Sequence, residues 1–144
     1  MSDEHAIEIW LIEDDDGHAL LVEDSLRDAG LHNRLLRARD GSEGWQWLGE
    51  AALGHRCLPG LILLDIAMPG LDGLEVLERI KSSPKLKHIP VIMLTSTDRQ
   101  REIERAYALG ANAFIVKPVD FDRLHEKVRT LGMFLQIIEV AGGA

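Results

Sequence analysis

The sequence has one cysteine, Cys57, among 144 residues. An internal disulfide framework is therefore excluded, and a reducing compartment fits. No apolar run approaches the roughly 18–20 residues of a membrane span. The N-terminus MSDEHAIE is acidic, unlike a secretory or transit peptide. Together these absences lead us to expect a soluble, cytoplasmic protein. Repeats, low-complexity tracts and Pro/Gly/Ser-rich linkers are missing too. A chain of 144 residues has room for one domain of ordinary size and none for a second. Basic charge is also short: 16 Lys and Arg stand against 24 Asp and Glu, for a net charge of −8. That balance argues against a nucleic-acid or anionic-membrane surface. What is present, 46% hydrophobic and 28% charged residues, is ordinary globular composition.

The acidic excess is local. Residues 1–28 hold ten acids against one base, Arg27, while the remainder sums to +1. Beyond that region, short apolar runs alternate with amphipathic stretches. Strands are expected at 7–12, 33–38, 61–66, 91–94 and 113–116. Helices are expected at 16–29, with Leu20, Leu21 and Leu26 at helical spacing, then at 42–53 and 74–81. Thr97-Asp98-Arg99-Gln100 fits a capping box and opens a fourth helix, which Gly110 ends. Asp120 caps a last helix running past Leu131. Five strands alternating with five helices argue for a doubly wound parallel α/β sheet covered on both faces.

In such sheets ligands bind beyond the carboxyl ends of the strands, so polar residues there carry the functional expectation. The first strand ends in Glu13-Asp14-Asp15-Asp16, the third at Asp65, the fourth in Thr95-Ser96 and the fifth in Lys117-Pro118. Clustered carboxylates repel unless a cation compensates, and an oxygen-only site on a loop suits Mg2+. Asp15 and Asp16 are more simply read as the acidic start of a helix. Asp65 is costly in a buried strand without a partner, and a carboxylate can act as a nucleophile toward a phosphoryl group. Lys117 supplies the one cation, and its bond to Pro118 can be cis or trans. The six histidines, at 5, 18, 32, 55, 88 and 125, lack metal-ligand spacing and read as surface or boundary residues. Cys57 lies in a loop-like stretch.

Four blocks together carry a resemblance: LIEDD (11–15), LILLDIAMPGLDGLEVL (61–77), IPVIMLTS (89–96) and GANAFIVKPVD (110–120). Over residues 7–131 the chain resembles the receiver domain of two-component response regulators. The resemblance implies a flavodoxin-like (βα)5 fold with strand order 2-1-3-4-5. It implies that Asp65 is the phosphoacceptor, that Glu13, Asp14, Asp65 and the carbonyl of Ala67 hold Mg2+, and that Thr95 and Lys117 bind phosphoryl oxygens. Thr95 and Phe114 would form the switch. Glu13 and Phe114 stand where many relatives have Asp and Tyr, and Phe114 has no hydroxyl. The partner implied is a sensor histidine kinase, and the chain would be a phosphoacceptor and not an enzyme, apart from slow self-phosphorylation and autodephosphorylation. The loop at 49–60 and the phrase at 82–95 are similar to response regulators paired with phytochrome kinases, which would make a bacteriophytochrome the kinase.

Residues 1–132 are read as the receiver and 133–144 as an apolar tail. Met133, Phe134, Leu135, Ile137 and Ile138 in the tail would be penalised by water if exposed. They suggest a dimerisation arm and a homodimer. Two other functions compete. A Mg2+-dependent phosphatase on a similar fold would need an acid two residues after the nucleophile, where Ala67 stands. A phosphorylation-independent scaffold would not need the full set of Glu13, Asp14, Asp65, Thr95 and Lys117.

Overall fold

A computed structural model describes residues 7–28, 33–95 and 100–117, together with Asp122 and Glu126. It contains β1 (Ile9–Ile12), α1 (Asp16–Asp28), β2 (Leu35–Ala38), α2 (Gly41–Ala52), β3 (Leu61–Asp65), α3 (Gly73–Ser82), β4 (Val91–Thr95), α4 (Gln100–Ala108) and β5 (Ala113–Val116). All five strands are parallel, in the order β2-β1-β3-β4-β5. The α/β expectation and the strand order both hold. The fifth helix falls mostly outside the described residues, as do the Thr97 capping box, Pro118 and the whole tail.

Side chains alternate across a strand, and the core divides accordingly. Trp10, Ile12, Ile62, Leu64, Val91 and Met93 point to one face, where they pack with residues of α2, α3 and α4. Leu11, Leu63, Ile92 and Leu94 point to the other, under Ala19, Val22 and Leu26 of α1. The central strands β3 and β4 are buried throughout, which explains why both read as unbroken apolar runs. Each fully buried Leu or Ile contributes about 1.5–3 kcal/mol relative to exposure.

One expectation about α1 needs correction. Leu20 and Leu21 are 59% and 49% exposed; the buried stripe is Ala19, Val22, Ser25 and Leu26. Ala19, Val22 and Leu26 pack with Leu11, Leu63, Ile92 and Leu94 of the sheet. The strands are also shorter at their starts than the apolar runs: β1 begins at Ile9 and β2 at Leu35.

Helix starts are fixed by carboxylates. Asp40 caps α2 through Glu43 N. Asp72 and Glu75 form a reciprocal capping box on α3, satisfying two orphan N–H groups at once. Gly73, the first residue of α3, lies so near β3 that an added Cβ would sit 2.0 Å from the Asp65 carbonyl oxygen. Gly110 ends α4 at φ +105°, a conformation that glycine adopts without steric cost.

Chain direction matters for the site. From β1 the chain leaves toward β2, and from β3 it leaves toward β4. The connections therefore part at the carboxyl ends of β1 and β3, opening the crevice where doubly wound sheets bind ligands.

Candidate functional site

Backbone register brings the polar strand ends together. Ile12 is paired with Leu64, so the next residues, Glu13 and Asp65, emerge side by side. Lys117 follows β5, and its backbone N–H donates to the Thr95 carbonyl at 2.6 Å. Its side chain reaches back over the sheet: Nζ lies 2.6 Å from Glu13 Oε1 and 3.1 Å from Asp65 Oδ1. All three side chains are buried, Lys117 being 7% exposed. Asp14 stands beside them and is exposed. One carboxylate oxygen from each of Glu13, Asp14 and Asp65 lies within 4.8 Å of the others.

The electrostatics follow from that crowding. The Asp65 carboxyl is pushed up to about 7, first by burial and then by the Glu13 charge, with Lys117 opposing both. One ammonium faces two buried carboxylates and a third at the rim, so the cluster is short of positive charge. Glu13 Oε2 accepts the Asp15 N–H at 3.2 Å. Glu13 Oε1 is buried and takes no aligned hydrogen bond; its contact with Nζ is an ion contact only. Three carboxylates sharing one ammonium, with an oxygen from each within 4.8 Å of the others, fit a hard divalent cation such as Mg2+.

The helix start just beyond behaves differently. Asp15 Oδ1 accepts the His18 N–H at 2.8 Å, the N-cap geometry of α1. That bond holds the Asp15 carboxyl below its ordinary range. Asp16 is likewise held down by Arg37, whose Nη1 lies 2.6 Å away. Arg37 also donates from Nε and Nη2 to the Glu13 carbonyl, at 3.0 and 2.9 Å. The same guanidinium thus pins the end of β1 to the first turn of α1.

Of the residues expected at the site, Glu13, Asp14, Asp65 and Lys117 converge. Thr95 is buried at the end of β4, one residue beyond Leu94, the register partner of Asp65. Ala67 is exposed in the loop that follows β3. Phe114 is half-buried on β5 and meets Tyr107 of α4 edge-on, ring centres 6.3 Å apart. Met133, Phe134, Leu135, Ile137 and Ile138 lie outside the described residues.

Two participants were not expected. His18, read as a surface or boundary residue, has Nδ1 3.1 Å from Lys117 Nζ; the two are 99 positions apart, and no local pattern signals the contact. Arg37 sits in a weak edge strand and gives no signal either. The Asp72 cap of α3 was not read either, although Asp followed three residues later by Glu is a helix-start pattern.

The chain matches known proteins over most of its length. The family described as response regulator receiver domain matches residues 9–129. Response regulator Rcp1 of Synechocystis sp. is 34% identical over 129 residues, covering 88% of this chain and 86% of Rcp1. The structure of the bacteriophytochrome response regulator AtBRR is 40% identical, covers 88% of this chain and 93% of that one, and superposes with a TM-score of 0.76. The Mn(2+)-bound form of Rcp1 is 32% identical, covers 89% and 93% respectively, and gives a TM-score of 0.74.

Proposed function

The chain belongs to the response regulator receiver domain family of two-component signalling, and from that premise we propose that it carries a phosphoryl group on Asp65, taken from a sensor histidine kinase. The observation that carries this reading is the Lys117 ammonium bridging two buried carboxylates, Glu13 and Asp65, with Asp14 within reach. A buried carboxylate raised to about 7 is a stronger base and nucleophile than an ordinary aspartate when it is ionised.

In the transfer, a carboxylate oxygen of Asp65 forms a bond to phosphorus as the phosphorus–nitrogen bond of the kinase phosphohistidine breaks. The imidazole nitrogen departs with the bonding pair. Lys117 opposes the burial and the Glu13 charge that favour a protonated Asp65, and it pairs with a phosphoryl oxygen. Glu13, Asp14, Asp65 and the Ala67 carbonyl are the groups that would hold Mg2+, which when bound supplies charge against the carboxylates and the phosphoryl oxygens. The chain's own contribution is positioning and electrostatics.

The added group brings about −1.5 to −2 charge, by analogy with other phosphoresidues. Thr95 turns its hydroxyl toward it, and Phe114 moves into the space released. Phe114 lies against Tyr107, so the change is passed to α4. The tail 133–144 forms a homodimer arm, and removing it yields a monomer by light scattering. The kinase is a bacteriophytochrome and the compartment the cytoplasm; AtBRR, a bacteriophytochrome response regulator at 40% identity, supports the former.

The central test is Asp65→Asn. Mg2+-dependent incorporation of phosphate from phosphoramidate is expected in the wild type and absent in the variant. Undiminished labelling of the variant would overturn the assignment.

A further inference from the structure

A lysine ammonium has three N–H donors and no acceptor. Around Lys117 Nζ stand Glu13 Oε1 at 2.6 Å, Asp65 Oδ1 at 3.1 Å and His18 Nδ1 at 3.1 Å. The first two are ion pairs. The two carboxylates supply the charge attraction and engage two of the three donors, which leaves one donor for a neutral acceptor. The contact with His18 has hydrogen-bond geometry, and that interaction is directional.

His18 is itself firmly held. It is the third residue of α1, where its N–H donates to Asp15 Oδ1 at 2.8 Å. Arg37 joins the neighbouring Asp16 to the Glu13 carbonyl. The backbone that carries the ring is therefore tied to the end of β1. Because Nζ can only donate, Nδ1 must accept, and the ring keeps its proton on Nε2. The same Nδ1 is 3.9 Å from Asp15 Oδ1, beyond hydrogen-bond reach.

We propose that His18 is a positioning residue for phosphoryl transfer: its Nδ1 accepts from Lys117 and aims the ammonium across Asp65. This inference rests on Asp65 being the phosphoacceptor. A neutral acceptor suits the task. A third carboxylate at that place would consume the charge that Lys117 must offer the phosphoryl group, whereas an imidazole orients the ammonium and leaves its charge available. His18 is also the exposed member of the trio, with its side chain 45% open, so the ring forms the solvent side of the cage around Nζ.

The test compares His18→Leu with His18→Asn at pH 8, saturating Mg2+ and limiting phosphoramidate. Leucine has no acceptor; asparagine places an amide oxygen close to where Nδ1 stands. Loss of one hydrogen bond to a charged donor predicts labelling about ten- to a hundredfold slower in His18→Leu. His18→Asn should stay within about twofold of wild type on the same grounds. In the wild-type protein, 15N NMR of the ring should show Nδ1 without a proton and Nε2 protonated. Equal rates for the two variants, or a proton on Nδ1, would overturn the proposal. A wild-type protein that takes no label at Asp65 would overturn the phosphoacceptor reading and this inference with it. Labelled wild type with equal variants removes only the role of His18.

Discussion

Four consecutive acids, Glu13 to Asp16, divide between two environments. Glu13 is wholly buried at the end of β1, beneath Lys117. The side chains of Asp15 and Asp16 are 54% and 80% exposed at the start of α1. The buried cluster and the exposed turn respond to charge in opposite ways. Burial and Glu13 push Asp65 up to about 7, while His18 N–H and Arg37 hold Asp15 and Asp16 below their ordinary value. The same residue type thus costs stability in one place and adds to it in the other. The difference lies in how many carboxylates share each cation and how much water reaches them.

The largest test of this contrast is Lys117→Met. It leaves Glu13 and Asp65 buried without their cation, and breaking a buried pair from one side costs about 3–5 kcal/mol. Urea denaturation at pH 8 should show that loss, and at pH 5 much of it should disappear as Asp65 takes up a proton. Labelling of Asp65 should fall by about a hundredfold or more. A variant as stable as wild type at pH 8 would show that the cluster is not short of charge.

Asp65→Asn probes the same cluster from the other side. The folded protein holds a proton on Asp65 up to about pH 7, whereas the unfolded chain releases it in the ordinary carboxylate range. Folded-state proton binding exceeds unfolded-state binding in that window, so this group makes stability fall as pH rises through it. Asparagine removes the effect. In Mg2+-free buffer the variant should gain about 1–4 kcal/mol at pH 8 and nothing near pH 4. Equal stability at pH 8 would break the comparison.

The exposed turn should give the opposite sign and smaller effects. Asp15 and Asp16 are lowered, so their stabilisation is present at neutral pH and is lost as pH falls below the ordinary carboxylate value and through the lower folded one. Asp15→Ala removes the α1 cap and should lower Tm at pH 7 measurably. Asp16→Ala breaks an exposed ion pair with Arg37 and should shift Tm by no more than about 2 °C. Calorimetry at pH 7 and pH 3 checks both, with the difference from wild type shrinking at the lower pH.

Much of the site was legible because strand ends in a parallel sheet are constrained twice. Asp65 interrupts an apolar run, and Glu13 and Lys117 each directly follow one, so their places were readable before any contact was known. The helix start at Asp72 was also present in the local pattern. The buried stripe of α1 was not, because Leu20 and Leu21 outrank Ala19 in hydrophobicity, and which face of the helix meets the sheet is decided by tertiary packing. His18 and Arg37 were not legible at all. Their partners lie 99 and 24 positions away.

The sequence by itself determined the alternation of strands and helices and the residues at the strand ends, since hydrophobic period and helix-start chemistry are local. Tertiary structure alone decided which acid meets the ammonium and which meets water. That choice depends on parallel pairing of β1 with β3, on the reach of Lys117 back across the sheet, and on the dielectric difference between a buried crevice and an exposed helix turn. Charge on a residue is written in the chain; the energy of that charge is set by what the fold places around it.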